Sequence, residues 1–295
     1  MRGLLGIVLN TFRETVRQAF YLLLLIAGMA AVLITLRLPL FTLEEDTDLY
    51  KELGLSFTLL FLLLVGLLAA ATGVAREVED KTAQTILAKA LGRAQFILGK
   101  FLGVMAAVAL GLAVLGTVFV AAVYYRVRLD AGVLEVPYTH GGVGRQVEAF
   151  QARQLSQALT VVPGLVLILL QVGVLSAVAT ALSARLSAAA SVGLGLAAYL
   201  VGHLMVFLES ASRLAGTFWQ GAAKAALAAL PFLEIFNLNQ KLAHAVLTPQ
   251  AAGSPGAAAW AEVWAYVGWA ALYALAYGAF AILLAIALFR RRSIS

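Results

Sequence analysis

Six long apolar stretches constrain the fold of this chain more than any other feature of its sequence. They cover residues 19–38, 54–75, 101–125, 157–184, 187–208 and 264–289. An α-helix needs about 20 apolar residues to cross the hydrocarbon core of a bilayer, and each stretch approaches or exceeds that length. Composition agrees, because 62% of the 295 residues are hydrophobic and only 12% are charged. The sequence therefore predicts an all-α polytopic membrane protein with six transmembrane helices, built as a single domain over residues 1–295.

The loops between the stretches carry unequal charge, which predicts their orientation. If the amino terminus is cytoplasmic, the inner side holds 12 Lys and Arg residues and four Asp and Glu residues, and the outer side holds nine and eleven. Positive charge accumulates on the cytoplasmic side of membrane proteins. We therefore expect a multi-pass protein of the cell (inner) membrane with both termini in the cytoplasm. The net charge of +6 is then a property of these loops, and no nucleic-acid partner is expected.

Residues 3–18, ahead of the first apolar stretch, show helical periodicity with two unlike faces. The apolar residues on one face are Leu4, Leu5, Val8, Phe12 and Val16, and the charged residues on another are Arg13, Glu14 and Arg17. This pattern predicts an amphipathic helix that lies in the membrane interface. The alternative is a plain cytoplasmic extension of the first transmembrane helix.

The predicted cytoplasmic connection between the second and third crossings, residues 76–103, contains a short helix of its own. Asp80 or Thr82 can cap its start, and Gly92 can end it in a left-handed conformation. Its apolar residues are Ile86, Leu87, Ala90 and Leu91. A short helix with an apolar ridge and a charged rim suits docking into a groove of a soluble partner. The alternative is a loop helix folded back onto its own bundle.

This connection resembles the loop between the second and third helices of ABC-2 type permeases. The matching residues are Glu77 or Glu79, Thr82, Ile86, Leu87, Ala88, Arg93, Leu98, Gly99 and Lys100. A second run is similar to one in the branch related to copper-enzyme maturation permeases, and its residues are Pro231, Phe232, Glu234, Phe236 and Asn237. The chain departs from the family pattern at Ala90, which replaces a proline, and at Gly92, which replaces a small hydroxyl residue.

The resemblance implies a division of labour between chains. The loop helix would be a coupling helix that contacts a separate ABC ATPase (nucleotide-binding) subunit, through Glu77, Glu79, Thr82, Thr85, Ile86, Leu87, Lys89 and Arg93. ATP and Mg would bind on that partner, and this chain would hold no cofactor. A second permease chain would complete a homodimer or heterodimer. The implied function is the permease subunit of an ABC-type exporter, which couples ATP hydrolysis on the partner to substrate movement across the membrane.

Catalytic motifs are missing from the sequence. A P-loop requires two glycines with four residues between them, and the second glycine is followed directly by Lys and then by Ser or Thr. The nearest similar run lies between Gly92 and Lys100, but its spacing is six residues and Phe101 follows the lysine. The chain has no cysteine, which excludes disulfides and thiolate metal sites. We therefore expect a transport subunit rather than an enzyme, with no catalytic or metal-binding residue.

Polar and small residues within the apolar stretches are the remaining candidates for function. Gln171 and His203 either line a substrate pathway or form hydrogen bonds between packed helices, and His203 could also bind a metal. Ser187, Ser191 and Gly195 repeat every four residues, a spacing that lets another helix approach closely. The functional alternatives are a non-transporting scaffold or assembly factor driven by an ATPase, and a stand-alone secondary carrier.

The outer segments are expected to contain no crossing. Residues 42–52 and 126–156 are predicted to be loops, and residues 209–263 are predicted to form short helices at the outer membrane surface. A seventh crossing near Lys224 is disfavoured, because a lysine at the middle of a span costs about 2.5–3.5 kcal/mol.

Overall fold

The computed structural model describes residues 2–37, 46–79, 92–131, 143–214, 230–237 and 257–290. Within these ranges 92% of the residues are α-helical and no strand occurs. The helices are α1 (Arg2–Val16), α2 (Ala19–Thr35), α3 (Asp46–Glu79), α4 (Arg93–Ala131), α5 (Val143–Leu159), α6 (Val162–Ser183), α7 (Ala188–Leu214) and α8 (Ala257–Arg290), with a 3-10 turn at Leu233–Phe236 between α7 and α8. The predicted all-helical class is confirmed.

Four segments are long and apolar enough to cross a membrane. They are Thr47–Ala75, Arg93–Leu129, Phe150–Ser183 and Trp260–Phe289. These segments contain the predicted second, third and sixth crossings and all but the last residue of the fourth, so the chain has the helices of a membrane-embedded protein. The full set of six crossings is not confirmed, because α2 and the apolar part of α7, Ala188–Leu204, are shorter helices.

A sharp bend separates α1 from α2. The two helices meet at 61° across a break of two residues, where Gln18 adopts an extended backbone conformation. Taken together as one bent pair they form a fifth candidate span. The bend means that α1 does not continue the axis of α2, as a plain extension of the first transmembrane helix would.

Hydrogen bonds tie the short α2 to its neighbours. The Tyr21 hydroxyl donates to the backbone oxygen of Ala107 in α4 at 3.0 Å, and the Tyr50 hydroxyl of α3 donates to the oxygen of Val32 at 3.1 Å. Both tyrosines are fully buried. Because buried hydroxyl groups need partners, these bonds fix α2 against α3 and α4 in an apolar environment.

The centre of the bundle is α6, which packs against α3, α4, α7 and α8. In the most apolar part of the segment Phe150–Ser183, 67% of the residues are buried. In the corresponding part of α8 only 28% are buried. Gly66 of α3 lets α6 approach closely, because a Cβ atom there would lie 2.6 Å from Oγ of Ser176. Large apolar side chains on the outside of α2 and α8 are exposed, including Trp269 at 70%. Such surfaces must be covered by lipid or by another protein chain.

Two of the predicted outer loops are wrong over their described parts. Residues 46–52 form the first turns of α3, and α4 continues to Ala131 where a loop was expected from residue 126. Hydropathy marks the part of a helix that lies in lipid, but the backbone hydrogen bonds of a helix continue past the apolar residues. Within the predicted outer segment 209–263, α7 extends to Leu214 and the 3-10 turn follows at Leu233–Phe236.

Candidate functional site

The predicted coupling segment lies mostly outside the described residues. This applies to Thr82, Thr85, Ile86, Leu87 and Lys89. Of the other predicted contacts, Glu77 and Glu79 belong to the last turn of α3, and Arg93 is the exposed first residue of α4. The described ends of the segment are therefore the last turn of α3 and the first turn of α4.

Helix α1 packs tightly on the beginning of α4. At Gly99 a Cβ atom would lie 2.7 Å from Cγ2 of Ile7, and at Gly103 one would lie 2.8 Å from the backbone oxygen of Val8 and 2.6 Å from Cβ of Thr11. These distances are too short for a real side chain. Two glycines four residues apart therefore form the surface on α4 that receives α1.

The face of α1 that packs on the bundle overlaps the predicted apolar face but is not identical to it. Phe12 and Val16 of the predicted face pack against the core, and Thr11 is buried as well. Leu5 of the predicted face is 61% exposed. Arg13 and Glu14 lie on the exposed side as predicted. The helix therefore has three sides, one packed on α4, one apolar and exposed, and one polar. Periodicity shows which residues are apolar, but the glycines of α4 select the side that is packed.

Lys100 joins three helices at this junction. Its ammonium group lies 3.5 Å from the carboxylate of Glu14 in α1, and Cδ of its side chain lies 4.0 Å from the position of a Cβ on Gly73 of α3. The lysine is 3% exposed, so its charge is held inside the protein between α1, α3 and α4. The residues that match the family motif at Gly99 and Lys100 thus make contacts within this chain.

A row of polar side chains connects α6, α7 and the 3-10 turn. The Gln171 side chain of α6 hydrogen-bonds to Nε2 of His203 in α7 at 2.9 Å, and Nδ1 of His203 lies 3.9 Å from a carboxylate oxygen of Glu234 in the 3-10 turn. The ring of Tyr199 stands edge-on to His203, with centroids 4.7 Å apart. Gln171 is 2% exposed, so its hydrogen bond to His203 satisfies a buried amide, whereas the side chains of His203 and Glu234 are 27% and 37% exposed.

Sequence reasoning identified Gln171 and His203 separately but did not join them to Glu234. The two helical residues are 32 positions apart in sequence, and Glu234 follows His203 by another 31, so no spacing rule connects them. The signal in the sequence was their polarity within an apolar context. The side chain of Glu209, which also follows His203 along α7, lies outside the described part of the chain.

The three small residues at and after the start of α7, Ser187, Ser191 and Gly195, take different roles. Gly195 faces α3, where a Cβ on Gly195 would lie 2.7 Å from Cδ2 of Leu67. Ser191 is fully buried and its hydroxyl donates to the backbone oxygen of Ser187 at 3.0 Å. Ser187 itself is exposed, and its side-chain oxygen accepts the N–H of Ala190 at 3.4 Å, as at the start of a helix.

Metal binding finds no support in the described ranges, where no group of three or more His, Asp or Glu residues is placed to hold an ion. No protein-family model and no curated protein matches this chain. The resemblance to ABC-2 type permeases therefore stays a prediction that rests on the residues quoted above.

Proposed function

We propose that this chain is the permease subunit of an ATP-driven exporter, with ATP and Mg bound by a separate ATPase subunit. The observation that carries the proposal is the junction between α1 and α4. The predicted coupling segment leads into α4 at Arg93, about two turns before Gly99, and at Gly99 α4 is closely packed against α1. A displacement of the segment would therefore move two helices together.

The physical basis is rigid-body switching between two packings of the bundle. The segment joins the last turn of α3 to the first turn of α4, and both helices continue into candidate spans. An ATPase that binds the segment differently in its two nucleotide states would favour one packing in each state. Because α1 and α4 are in contact through backbone atoms, little of this motion would be lost in side-chain rearrangement.

The same proposal includes the membrane and the second chain. The chain would reside in the cell (inner) membrane with both termini in the cytoplasm, the side on which the ATPase would bind. A second permease chain would pair with it and share the substrate pathway. The exposed apolar sides of α2 and α8 offer surface for lipid and for that chain.

The proposal is tested by co-purification. The wild-type chain, solubilised in detergent, is expected to carry an ATPase with a P-loop. Replacing Ile86 and Leu87 together by Asp is expected to remove the ATPase and to leave membrane insertion unchanged, because the apolar ridge of the segment would be lost. Leu186→Asp, in the turn between α6 and α7, is the matched control and should retain the ATPase. A wild-type chain that purifies without any ATPase would contradict the proposal, as would retention of the ATPase by the double variant.

One observation favours a second class of function, a stand-alone secondary carrier. His203 and Glu234 are titratable groups that face each other within the membrane domain, and such groups form proton pathways in many transporters. A carrier of this kind would work without an ATPase. The co-purification experiment therefore separates the two candidates.

A further inference from the structure

Helix α1 carries a row of exposed side chains on a side that does not pack on α4. Its members follow one another every four residues, and they are Leu5, Leu9, Arg13 and Arg17. Residues four apart on a helix are neighbours, so these side chains form one continuous ridge along α1. The ridge is apolar in its first half and cationic in its second half.

The two arginines of the ridge have no anionic partner among the described residues. Neither guanidinium group forms an ion pair or a hydrogen bond there. Glu14 is the one acidic residue of α1, and its carboxylate lies 3.5 Å from the ammonium group of Lys100 in α4. The ridge therefore ends in two positive charges that no carboxylate of the described part of the chain neutralises.

The cationic half of the ridge lies close to a surface that requires lipid. The large apolar side chains of Leu22, Leu23 and Ile26 in α2 are all more than half exposed, as on a helix that faces hydrocarbon. Arg17 precedes the first of them by five residues, little more than one helical turn. The arginines are therefore placed near the level at which the hydrocarbon of a membrane gives way to the headgroups.

The packing of α1 determines the direction in which the ridge points. Gly99 and Gly103 of α4 receive the opposite side of the helix, so the ridge faces away from α4. The axes of α1 and α2 meet at 61°. For an α2 close to the membrane normal, α1 then runs nearer to the membrane plane than to the normal, as interfacial helices do. The ridge thus follows the membrane surface.

The chemistry of arginine favours a phosphate group as the ligand of this ridge. The planar guanidinium group presents its N–H donors as a fork that binds two oxygens of one phosphate. Zwitterionic headgroups carry a cation of their own beside the phosphate, whereas the headgroup of phosphatidylglycerol carries none. Each arginine near an anionic membrane surface strengthens binding to it. Two neighbouring arginines without carboxylate partners therefore favour anionic phospholipid.

We propose that the ridge formed by Leu5, Leu9, Arg13 and Arg17 binds anionic phospholipid in the leaflet predicted to face the cytoplasm. The two leucines insert among the headgroups, and the two guanidinium groups bind the lipid phosphates. Because α1 is closely packed on the beginning of α4, the bound lipid holds both helices at the membrane surface. The site requires neither an ATPase nor a cargo, so it is independent of the proposed transport function.

The test measures which lipid lies next to α1 in the purified full chain. A fluorophore is attached to Asn10→Cys, an exposed position beside the ridge, and the chain has no other cysteine. The protein is reconstituted in phosphatidylcholine nanodiscs with increasing fractions of spin-labelled phosphatidylglycerol or spin-labelled phosphatidylcholine. We expect half-maximal quenching at a lower fraction of the anionic lipid, by about fivefold for each arginine. Added salt should reduce this difference, because it screens exposed charges.

Variants decide whether the two arginines cause the preference. Replacing Arg13 and Arg17 together by Gln should make the two lipids quench equally. Replacing both by Lys should retain part of the preference, because the charge remains but the planar fork is lost. Arg185→Gln is the matched control, since Arg185 is exposed in the turn between α6 and α7 and is predicted to lie on the same side of the membrane. This control should keep the full preference.

Two results would overturn the lipid site. The first is equal quenching by the two lipids in the otherwise wild-type chain, which would leave an acidic protein surface as the occupant of the ridge. The second is a preference for phosphatidylglycerol that survives the double replacement by Gln. Neither result bears on co-purification of an ATPase, so failure of the lipid site and failure of the transport proposal are distinguishable.

Discussion

Gly103 sets the distance between α1 and α4. A side chain there would collide with the backbone oxygen of Val8, which cannot move unless the whole of α1 moves. The neighbouring ion pair contributes less, because Glu14 is 42% exposed and such pairs are worth about 1 kcal/mol or less. Close packing is therefore the main interaction that holds α1 in place.

Replacing Gly103 by Leu is expected to displace α1 from α4. Overpacking of a closely packed contact costs about 1–3 kcal/mol, and 1.4 kcal/mol corresponds to a tenfold change in an equilibrium. Backbone amides of α1 should then exchange with solvent roughly tenfold faster in hydrogen-exchange mass spectrometry. Gly268→Leu is the control, because Gly268 lies in α8 with no atom within 4 Å of an added Cβ. Unchanged protection of α1 in the Gly103 variant would show that its packing on α4 is not close.

Helix α7 presents two unlike glycines to its surroundings. Gly195 lies against Leu67 of α3, which is fully buried and has no room to withdraw. Gly193, two residues earlier, has open space where its side chain would be. The packing of α7 on the bundle therefore depends on one side of the helix, and the other side is available to lipid.

These two glycines provide a matched pair of substitutions on the same helix. Gly195→Leu should lower the thermal stability of the purified protein, because it forces α7 away from α3 at a cost of about 1–3 kcal/mol. Gly193→Leu adds the same side chain and the same gain in helix propensity without a collision. Its melting temperature in detergent should equal or exceed that of the wild type. Equal losses in both variants would contradict the assignment of the packed side.

The whole molecule is arranged around α6, with α2 and α8 at the periphery. Large apolar side chains cover the outer surfaces of both peripheral helices, as in a protein whose solvent is lipid. Four helices have the length of a span, and whether α2 and α7 also cross depends on where their ends lie relative to the membrane. The topology of these two helices is a testable property of the whole molecule.

Labelling of single cysteines in intact cells answers that question, since the chain has no cysteine of its own. Cysteines introduced at Asp46 and Gln146 should react with a membrane-impermeant maleimide, and one at Gln84 should react only after the cells are opened. For α7 to cross, a cysteine at Leu186 must be protected and one at Ala257 must react. Reaction of the Gln84 variant in intact cells would place the coupling segment outside and end the transport proposal.

Hydropathy and periodicity were sufficient to predict the all-helical class and the positions of the four candidate spans. These signals are local, because each apolar stretch reports on its own preference for lipid. They did not predict where the helices begin and end, since α3 and α4 both extend into regions predicted as loops. They also marked Gln171 and His203 as unusual, since polar groups in an apolar stretch need partners.

The contact partners of these polar residues are determined by the packing of parts of the chain that are distant in sequence. Glu234 faces His203 because Gly202 lets the turn approach α7, and Lys100 faces Glu14 because Gly99 and Gly103 let α1 approach α4. The sequence shows where these glycines are, but it does not show which helix packs against each of them. That choice is made by shape complementarity between surfaces far apart along the chain, and local patterns carry no information about it.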